Sequence, residues 1–296
     1  ADQHRTRKIL SSLDHLVVFD IFMTKTAELA DVVLPSAAGW CESEGTVVNS
    51  ERRVQRIRKA LDAPGEARDE ILALCELVRR LGGNWPDYTA EQVWDEVREL
   101  APAMFGGMSY ARLEAEKGLR WPCPDESHPG AVYLHERLWH EPRSGPPAPF
   151  TVVEHEPPLE QADAEYPFVL TTGRRLADYN TGVQSNMFTS PLRRSESVDM
   201  HPDDLIRLGF DDGQLVRISS RRGSVVAPVR ADPIMQRGLV FMTPHFQDDV
   251  RVNELTTDAS DPKSGTAEFK ACAVKVEPLE VDSEVALRVH AGALGK

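Results

Sequence analysis

The sequence predicts an α/β amino-terminal segment followed by a mainly β closed barrel. Three observations carry this. The first sixty residues alternate short apolar strands with a short helical stretch, two amphipathic helices follow, and at least five short strands with one small helix crowd residues 166–276. The expected organisation is an α/β domain over 1–120, a Pro-rich linker or surface arm over 121–160, and the barrel domain over 161–296.

His15-Leu16-Val17-Val18-Phe19-Asp20 is a short run rich in β-branched and apolar residues, hence a buried strand. Thr24 to Ala30 has helical composition, and Asp31-Val32-Val33-Leu34-Pro35 is a second strand halted by proline. Strand, short helix and strand make a right-handed crossover of a parallel sheet. Ligands bind such sheets beyond the carboxyl ends of the strands, so Asp20, Thr24 and the loop from Ser36 to Gly45 mark a candidate site. Glu66 to Leu81 carries Ile71, Leu72, Leu74, Cys75, Leu77, Val78 and Leu81 at helical spacing and is closed by Gly82-Gly83. Thr89 to Leu100 is a second helix, with Thr89 and Gln92 in capping-box positions. Residues 142–149, PRSGPPAP, read as an extended arm.

Phe168 to Thr172 is a strand leading into Gly173-Arg174-Arg175. His201 to Gly209 is a helix of one or two turns, with Pro202 at its start and Gly209 at its end. Leu215 to Ser219 and Ser224 to Arg230 flank Arg221-Arg222-Gly223 as a hairpin, whose two arginines are read as solvent-facing. Gly238 to Met242 and Ala271 to Val276 complete the strands that suggest a closed barrel.

Composition limits the function. The 296 residues carry a net charge of −13 with 41% hydrophobic and 27% charged residues. That is globular composition, and its acidic balance argues against a nucleic-acid binder. Apolar runs fall far short of the ~20 residues of a membrane span. Four scattered cysteines, Cys41, Cys75, Cys123 and Cys272, offer no metal-ligand spacing and suit a reduced, cytoplasmic protein. Arginine clusters at 52–58, 174–175, 193–194 and 221–222 suit a local anionic ligand. The chain begins with Ala1 rather than Met, and is read as a piece of something longer.

Several motifs then fall in order: DIFMTKTAELADVVLP (20–35), ESEGT (42–46), NSERRVQ (49–55), TGRRLADYNTG (172–182), DDGQLVRISSRRG (211–223), PHF (244–246), NELT (253–256) and EFKACAVKVEP (268–278). Together they resemble the third and last domains of the molybdopterin oxidoreductases related to dimethyl sulfoxide reductase. Within that family the sequence is most similar to the formate dehydrogenase alpha (catalytic) subunit, with assimilatory nitrate reductases next. The resemblance implies a Rossmann-like parallel-sheet domain followed by a double-psi barrel. It also implies two molybdopterin guanine dinucleotides holding Mo or W, and two-electron oxidation of formate to carbon dioxide.

By the same resemblance Asp20, Thr24, Gly45 and Asn49 of the first domain, and Arg174, Tyr179, Thr181, His245, Asn253, Phe269 and Lys270 of the last, bind the cofactor. The residue types suit that role. Carboxylates accept from ribose or guanine donors, hydroxyls bond phosphate, glycines admit close backbone N–H groups, and Arg174 offers a permanently charged fork. Plainer alternatives stand beside them: Asp20 as a turn cap, Asn253 as a turn residue, His245 as a satisfied interior imidazole and Phe269 as wall. Glu42 and Glu44 look like a catalytic carboxylate pair but are read as part of a cofactor-lining loop.

Asp178-Tyr179-Asn180 stands where many formate dehydrogenases carry H-W-H, and Phe19 where related chains often carry a polar residue. Nothing matches the family's iron–sulfur cysteine motif or the segment bearing the metal-ligating cysteine or selenocysteine. The expected catalytic and metal sets are therefore empty, and the chain alone is expected to be inactive. Its expected partners are the N-terminal half of the catalytic subunit, which would carry the iron–sulfur cluster, and electron-transfer subunits with iron–sulfur or flavin centres.

Overall fold

A computed structural model of the protein describes residues 2–134, 150–175, 180, 196–246 and 250–279. They form two units, Asp14–Thr151 and Ala1–Leu13 with Val152–Lys296.

In the first unit, β1 (Val17–Asp20) and β2 (Val32–Pro35) pair in parallel, Val17 opposite Val32 and Asp20 opposite Pro35. The helix expected over Thr24–Ala30 shrinks to one 3-10 turn, Ala27–Leu29, begun by Thr24 Oγ1 accepting from the Ala27 N–H at 3.2 Å. The next helix, α2 (Glu70–Arg80), starts four residues later than its composition suggests. Gly65 turns the chain at φ 55°, and Arg68 bridges to Ser36. Asp69 then caps α2 by accepting from the Ile71 N–H at 2.9 Å. In α3 (Ala90–Leu100) the expected capping box forms, with both Thr89–Gln92 hydrogen bonds present.

The ESEGT and NSERRVQ motifs contribute to a hairpin, β3 (Gly45–Val48) and β4 (Arg53–Ile57), to which β5 (Leu119–Arg120) adds a third antiparallel strand. Two short helices, α4 (Pro102–Phe105) and α5 (Tyr110–Ala115), precede β5. Val54, Trp94, Met108, Leu113 and Leu119 form the core beneath this sheet. The buried Trp94 indole donates to the Met108 carbonyl at 2.6 Å.

The second unit opens with α1 (Gln3–Leu10), which carries no clear sequence signal and is tied to the barrel by the Asp2 N–H donating to the Thr256 carbonyl. The barrel comprises β6 (Phe168–Thr172), β7 (Val198–Met200), β8 (Leu215–Ser219), β9 (Ser224–Ala231), β10 (Leu239–Met242) and β11 (Cys272–Pro278). They close in the order β10-β6-β11-β8-β9-β7, so the barrel expectation holds, with β7 as the strand that had not been read. Pairs β6–β10 and β7–β9 are parallel and the remaining four are antiparallel. Alternation points Phe168, Leu170, Val198, Met200, Val216, Ile218, Val240, Met242 and Val274 into one buried core. The expected helix is α6 (Pro202–Leu208), capped by the His201 imidazole and ended by Gly209 at φ 72°.

Of the two arginines expected to face solvent, Arg221 is exposed but ion-paired, and Arg222 is largely covered. Arg221 pairs with Glu160 and Asp163 and lies over the Tyr166 ring, while Arg222 pairs with Glu160 and donates to the Leu255 carbonyl. They clamp residues 160–166, which the sequence assigned partly to a linker, against the barrel. All four cysteines are free thiols, three of them buried.

Candidate functional site at one end of the barrel

The barrel's register brings the carboxyl ends of β6 and β10, the start of β7, the β8–β9 tip and the residues preceding β11 to one end. There Thr172 leads into Gly173-Arg174-Arg175, and Met242 into Thr243-Pro244-His245. A Cβ on Gly173 would lie 2.8 Å from the Phe241 ring, so a side chain there would force that ring to move. Arg174 is exposed, and its Nε donates to Asn180 Oδ1 at 2.7 Å. Lys270 Nζ donates to the Thr172 carbonyl at 2.6 Å and lies 5.4 Å from the Phe269 ring. The Phe269 carbonyl accepts from Thr172 Oγ1.

His245 is fully buried. Its Nε2 accepts from the Arg175 N–H at 3.0 Å, and Nδ1 faces the Asn180 carbonyl. This network assigns the neutral tautomer with the proton on Nδ1. The satisfied-imidazole alternative thus describes its local bonding, and His245 ties two points of the segment that carries Arg174.

A buried acidic layer beneath these loops escaped the sequence reading. Asp199, 2% exposed, accepts from Ser197 Oγ at 2.7 Å, from Arg175 Nη2 at 2.7 Å and from Arg230 Nε at 2.9 Å. Its hydrogen bond raises the Arg230 pKa. Arg175 also lies 5.8 Å from the Phe241 centroid, and its Nη1 is buried with no hydrogen-bond partner. Glu196, likewise 2% exposed, accepts from the Ser197 and Thr243 N–H groups at 3.0 and 3.1 Å and from the Thr243 hydroxyl. One signal was available: Asp199 stands between the apolar Val198 and Met200.

Burial raises the Glu196 pKa against the opposing hydrogen bonds from Thr243 and Ser197. A carboxyl with a raised folded pKa contributes its stability fully below its unfolded pKa, and loses it as pH rises through the folded value. Glu196→Gln, which mimics the protonated acid, is therefore expected to flatten this dependence and melt at or above the wild-type temperature at pH 8. Melting curves from pH 4 to pH 8 on both proteins check it, and a destabilised variant at pH 8 would contradict the assignment.

The other expected site residues divide. Asn253, in the 3-10 turn Val252–Glu254, bonds Thr256 through Oδ1 and lies by the hairpin tip, where Gly223 meets the Glu254 carbonyl. Tyr179 and Thr181 lie outside the described residues. In the other unit, Asp20 accepts from the Phe22 N–H at 3.0 Å, the cap expected as its alternative, and ends β1, with Thr24 four residues beyond it. Gly45 and Asn49 lie at opposite ends of β3, and open space surrounds a Cβ built on Gly45. Asn49 is a turn builder, its Oδ1 accepting from the Glu51 and Arg53 N–H groups at 3.0 Å each. Glu51 is held by Arg120, Asn49 and Arg53, which lowers its pKa to about 2.

With this geometry established, comparison with known proteins is direct. A family model described as the Molydopterin dinucleotide binding domain matches residues 168–273, spanning β6 to the first residues of β11, and one described as Molybdopterin oxidoreductase matches residues 1–80. The chain belongs to the molybdopterin oxidoreductase family.

Among its relatives is the F420-dependent formate dehydrogenase 2 subunit alpha of Methanococcus maripaludis, 43% identical over 283 residues, covering 94% of this chain and 41% of the relative. The assimilatory nitrate reductase catalytic subunit of Bacillus subtilis is 36% identical, covering 92% of this chain and 39% of that protein. The solved structure of acetylene hydratase from Pelobacter acetylenicus shares the fold, with a TM-score of 0.63 at 20% identity over 94% of this chain and 42% of that one. This member of the molybdopterin oxidoreductases thus spans about two fifths of the length of the curated relatives it matches. Among the described residues, no His, Cys, Asp or Glu cluster is arranged to hold a metal ion, and no helix is long and apolar enough to cross a membrane.

Proposed function

We propose that this chain is part of a cytoplasmic formate dehydrogenase and that its barrel grips the guanosine and pyrophosphate ends of a molybdopterin guanine dinucleotide. The observation that carries the reading is the dinucleotide-binding match over a barrel whose one end gathers Arg174, Arg175 and Lys270. Cations beside an aromatic ring, with backbone N–H groups at a tight glycine turn, are the donor set that an anionic dinucleotide needs. When bound, a bis-dinucleotide cofactor with Mo or W supplies the two-electron redox chemistry.

The protein's residues bind and orient. Arg174 meets the pyrophosphate, Lys270 adds charge, Phe269 forms wall, and His245 fixes the loop that presents Arg174. Tyr179, Thr181 and Asn253 complete this end. Asp20, Thr24, Gly45 and Asn49 serve the α/β side, which we assign to a Rossmann-like domain, and the barrel to the double-psi class. The remaining part of the catalytic subunit would hold the iron–sulfur cluster. Electrons would pass on to partner subunits with iron–sulfur or flavin centres. The similarity to assimilatory nitrate reductases supports nitrate as the second substrate reading.

The test uses the protein purified with its accompanying chains. Two guanosine monophosphates released by acid per Mo or W, with formate-dependent dye reduction, are expected. Nitrate turnover without formate oxidation would transfer the assignment to nitrate, and a preparation without metal or guanine nucleotide would overturn it. Arg174→Ala in that enzyme removes a charge-assisted contact worth about 1.5–3 kcal/mol. Reduced guanine nucleotide content after purification is expected, and unchanged content would remove Arg174 from the site.

A further inference from the structure

We infer that Arg175 is a second, separately built phosphate-binding residue, presented by Asp199 so that its unused Nη1 donates to an oxyanion of the bound dinucleotide. The inference rests on the reading of the barrel as a dinucleotide grip, and adds to it a residue and a ligand group.

Four observations converge. The Arg175 backbone is pinned by its N–H donating to His245 Nε2 at 3.0 Å. Its side chain is pinned by Nη2 donating to Asp199 Oδ2 at 2.7 Å and Ser197 Oγ at 3.3 Å. The guanidinium lies over the Phe241 ring, which itself occupies the space where a side chain at residue 173 would project. The other arm, Nη1, is out of contact with solvent and has no acceptor.

A buried N–H without an acceptor is costly to keep, and buried donors are almost always paired. Here the orphan sits on a side chain whose Nη2 is held by Asp199 and Ser197, so it cannot rotate to a partner without breaking the Asp199 pair. The charge balance selects the ligand. Asp199 pairs with both Arg175 and Arg230, and Arg230 also pairs with Asp232 at 3.5 Å, so Arg175 has only a share of one carboxylate. The two arginines and two aspartates balance, and the adjoining Arg174 and Lys270 make this end of the barrel cationic. A charged donor in a positive, water-poor site takes an anionic oxygen in preference to a neutral carbonyl. The phosphate oxygens are the part of a dinucleotide that offers one.

Arg230 provides the internal control, because it shares Asp199 and leaves no comparable orphan. The experiment follows guanine nucleotide retained by the purified holoenzyme during extended dialysis, using wild type, Arg175→Gln, Arg175→Lys and Arg230→Gln, each checked by melting temperature. Arg175→Lys keeps a cation for Asp199 but has no second fork arm, so it tests the donor even where Arg175→Gln folds poorly. Both Arg175 variants are expected to release nucleotide at least roughly 10-fold faster than wild type, the scale of one lost charge-assisted bond. Arg230→Gln is expected to stay within about 2-fold of wild type. Unchanged release in the Arg175 variants, or equal acceleration in Arg230→Gln, would show that Arg175 only braces Asp199. A wild-type holoenzyme without guanine nucleotide would instead overturn the underlying dinucleotide reading and this inference with it.

Discussion

Asp199→Ala is expected to destabilise the barrel unit by about 3 kcal/mol, the lower end of the cost of breaking a buried ion pair from one side. The carboxylate is 2% exposed and takes hydrogen bonds from Ser197, Arg175 and Arg230. Its removal leaves the Arg175 guanidinium without its ion-pair partner and Arg230 with Asp232 alone, at 3.5 Å. Neither is wholly enclosed, with side-chain exposures of 20% for Arg175 and 30% for Arg230, so water relieves part of the penalty and the lower end applies. For a unit of this size the melting temperature should fall by roughly 6–12 °C. Asp199→Asn keeps the shape and one acceptor oxygen and should lose less. Thermal denaturation of the three proteins at pH 7 checks the order. An Ala variant that melts with the wild type would mean that the network carries no stability.

His245→Ala is expected to act on the loop more than on the fold. The fully buried imidazole joins the Arg175 N–H to the Asn180 carbonyl across 70 and 65 residues of sequence. Its loss leaves the Arg175 amide without an acceptor, costing about 1–3 kcal/mol, and opens a cavity where the ring stood. The Arg175 amide should therefore exchange with solvent at least about 10-fold faster, while amides of β8 and β9 stay near wild type. Guanine nucleotide retention should fall with it, because Arg174 and Arg175 ride on the same backbone. His245→Gln, whose carbonyl can accept from the Arg175 N–H, should restore part of both. Uniformly faster exchange throughout the barrel would mean that His245 is simply a core residue.

Elements with local signals were readable from the chain itself. The Thr89–Gln92 capping box, Pro202 and Gly209 bracketing α6, and the β8–β9 hairpin around Arg221-Arg222-Gly223 all emerge where expected. Each is decided by residues within a few positions of one another, through capping, proline's fixed φ or a turn. Where the local signal was ambiguous, it failed. Thr24–Ala30 has helical composition but yields only one turn, because β2 must return to pair with β1. The β3–β4 hairpin carries no clear alternation, because Val47 and Val48 are adjacent and exposed and only Val54 is fully buried. Three-residue β7 offers too few positions for an alternation to register.

The candidate site divides along the same line. Ordered motifs marked Arg174, His245, Phe269 and Lys270, and the barrel gathers them at one end. Asn49 and Asp20, chosen from the same motifs, spend their side chains on their own turns. Arg222 looked like a solvated hairpin residue until Glu160, 62 residues earlier, closed on it. The sequence by itself thus determined the family, the barrel class and the local helices and hairpin, since those depend on composition, order and short-range stereochemistry. Only the tertiary structure decided which charges are buried together. Asp199 meets Arg175 and Arg230 across 24 and 31 residues, and Glu196 meets Thr243 across 47. Such pairs form only when strands distant in sequence close into one barrel and exclude the water that would otherwise solvate them.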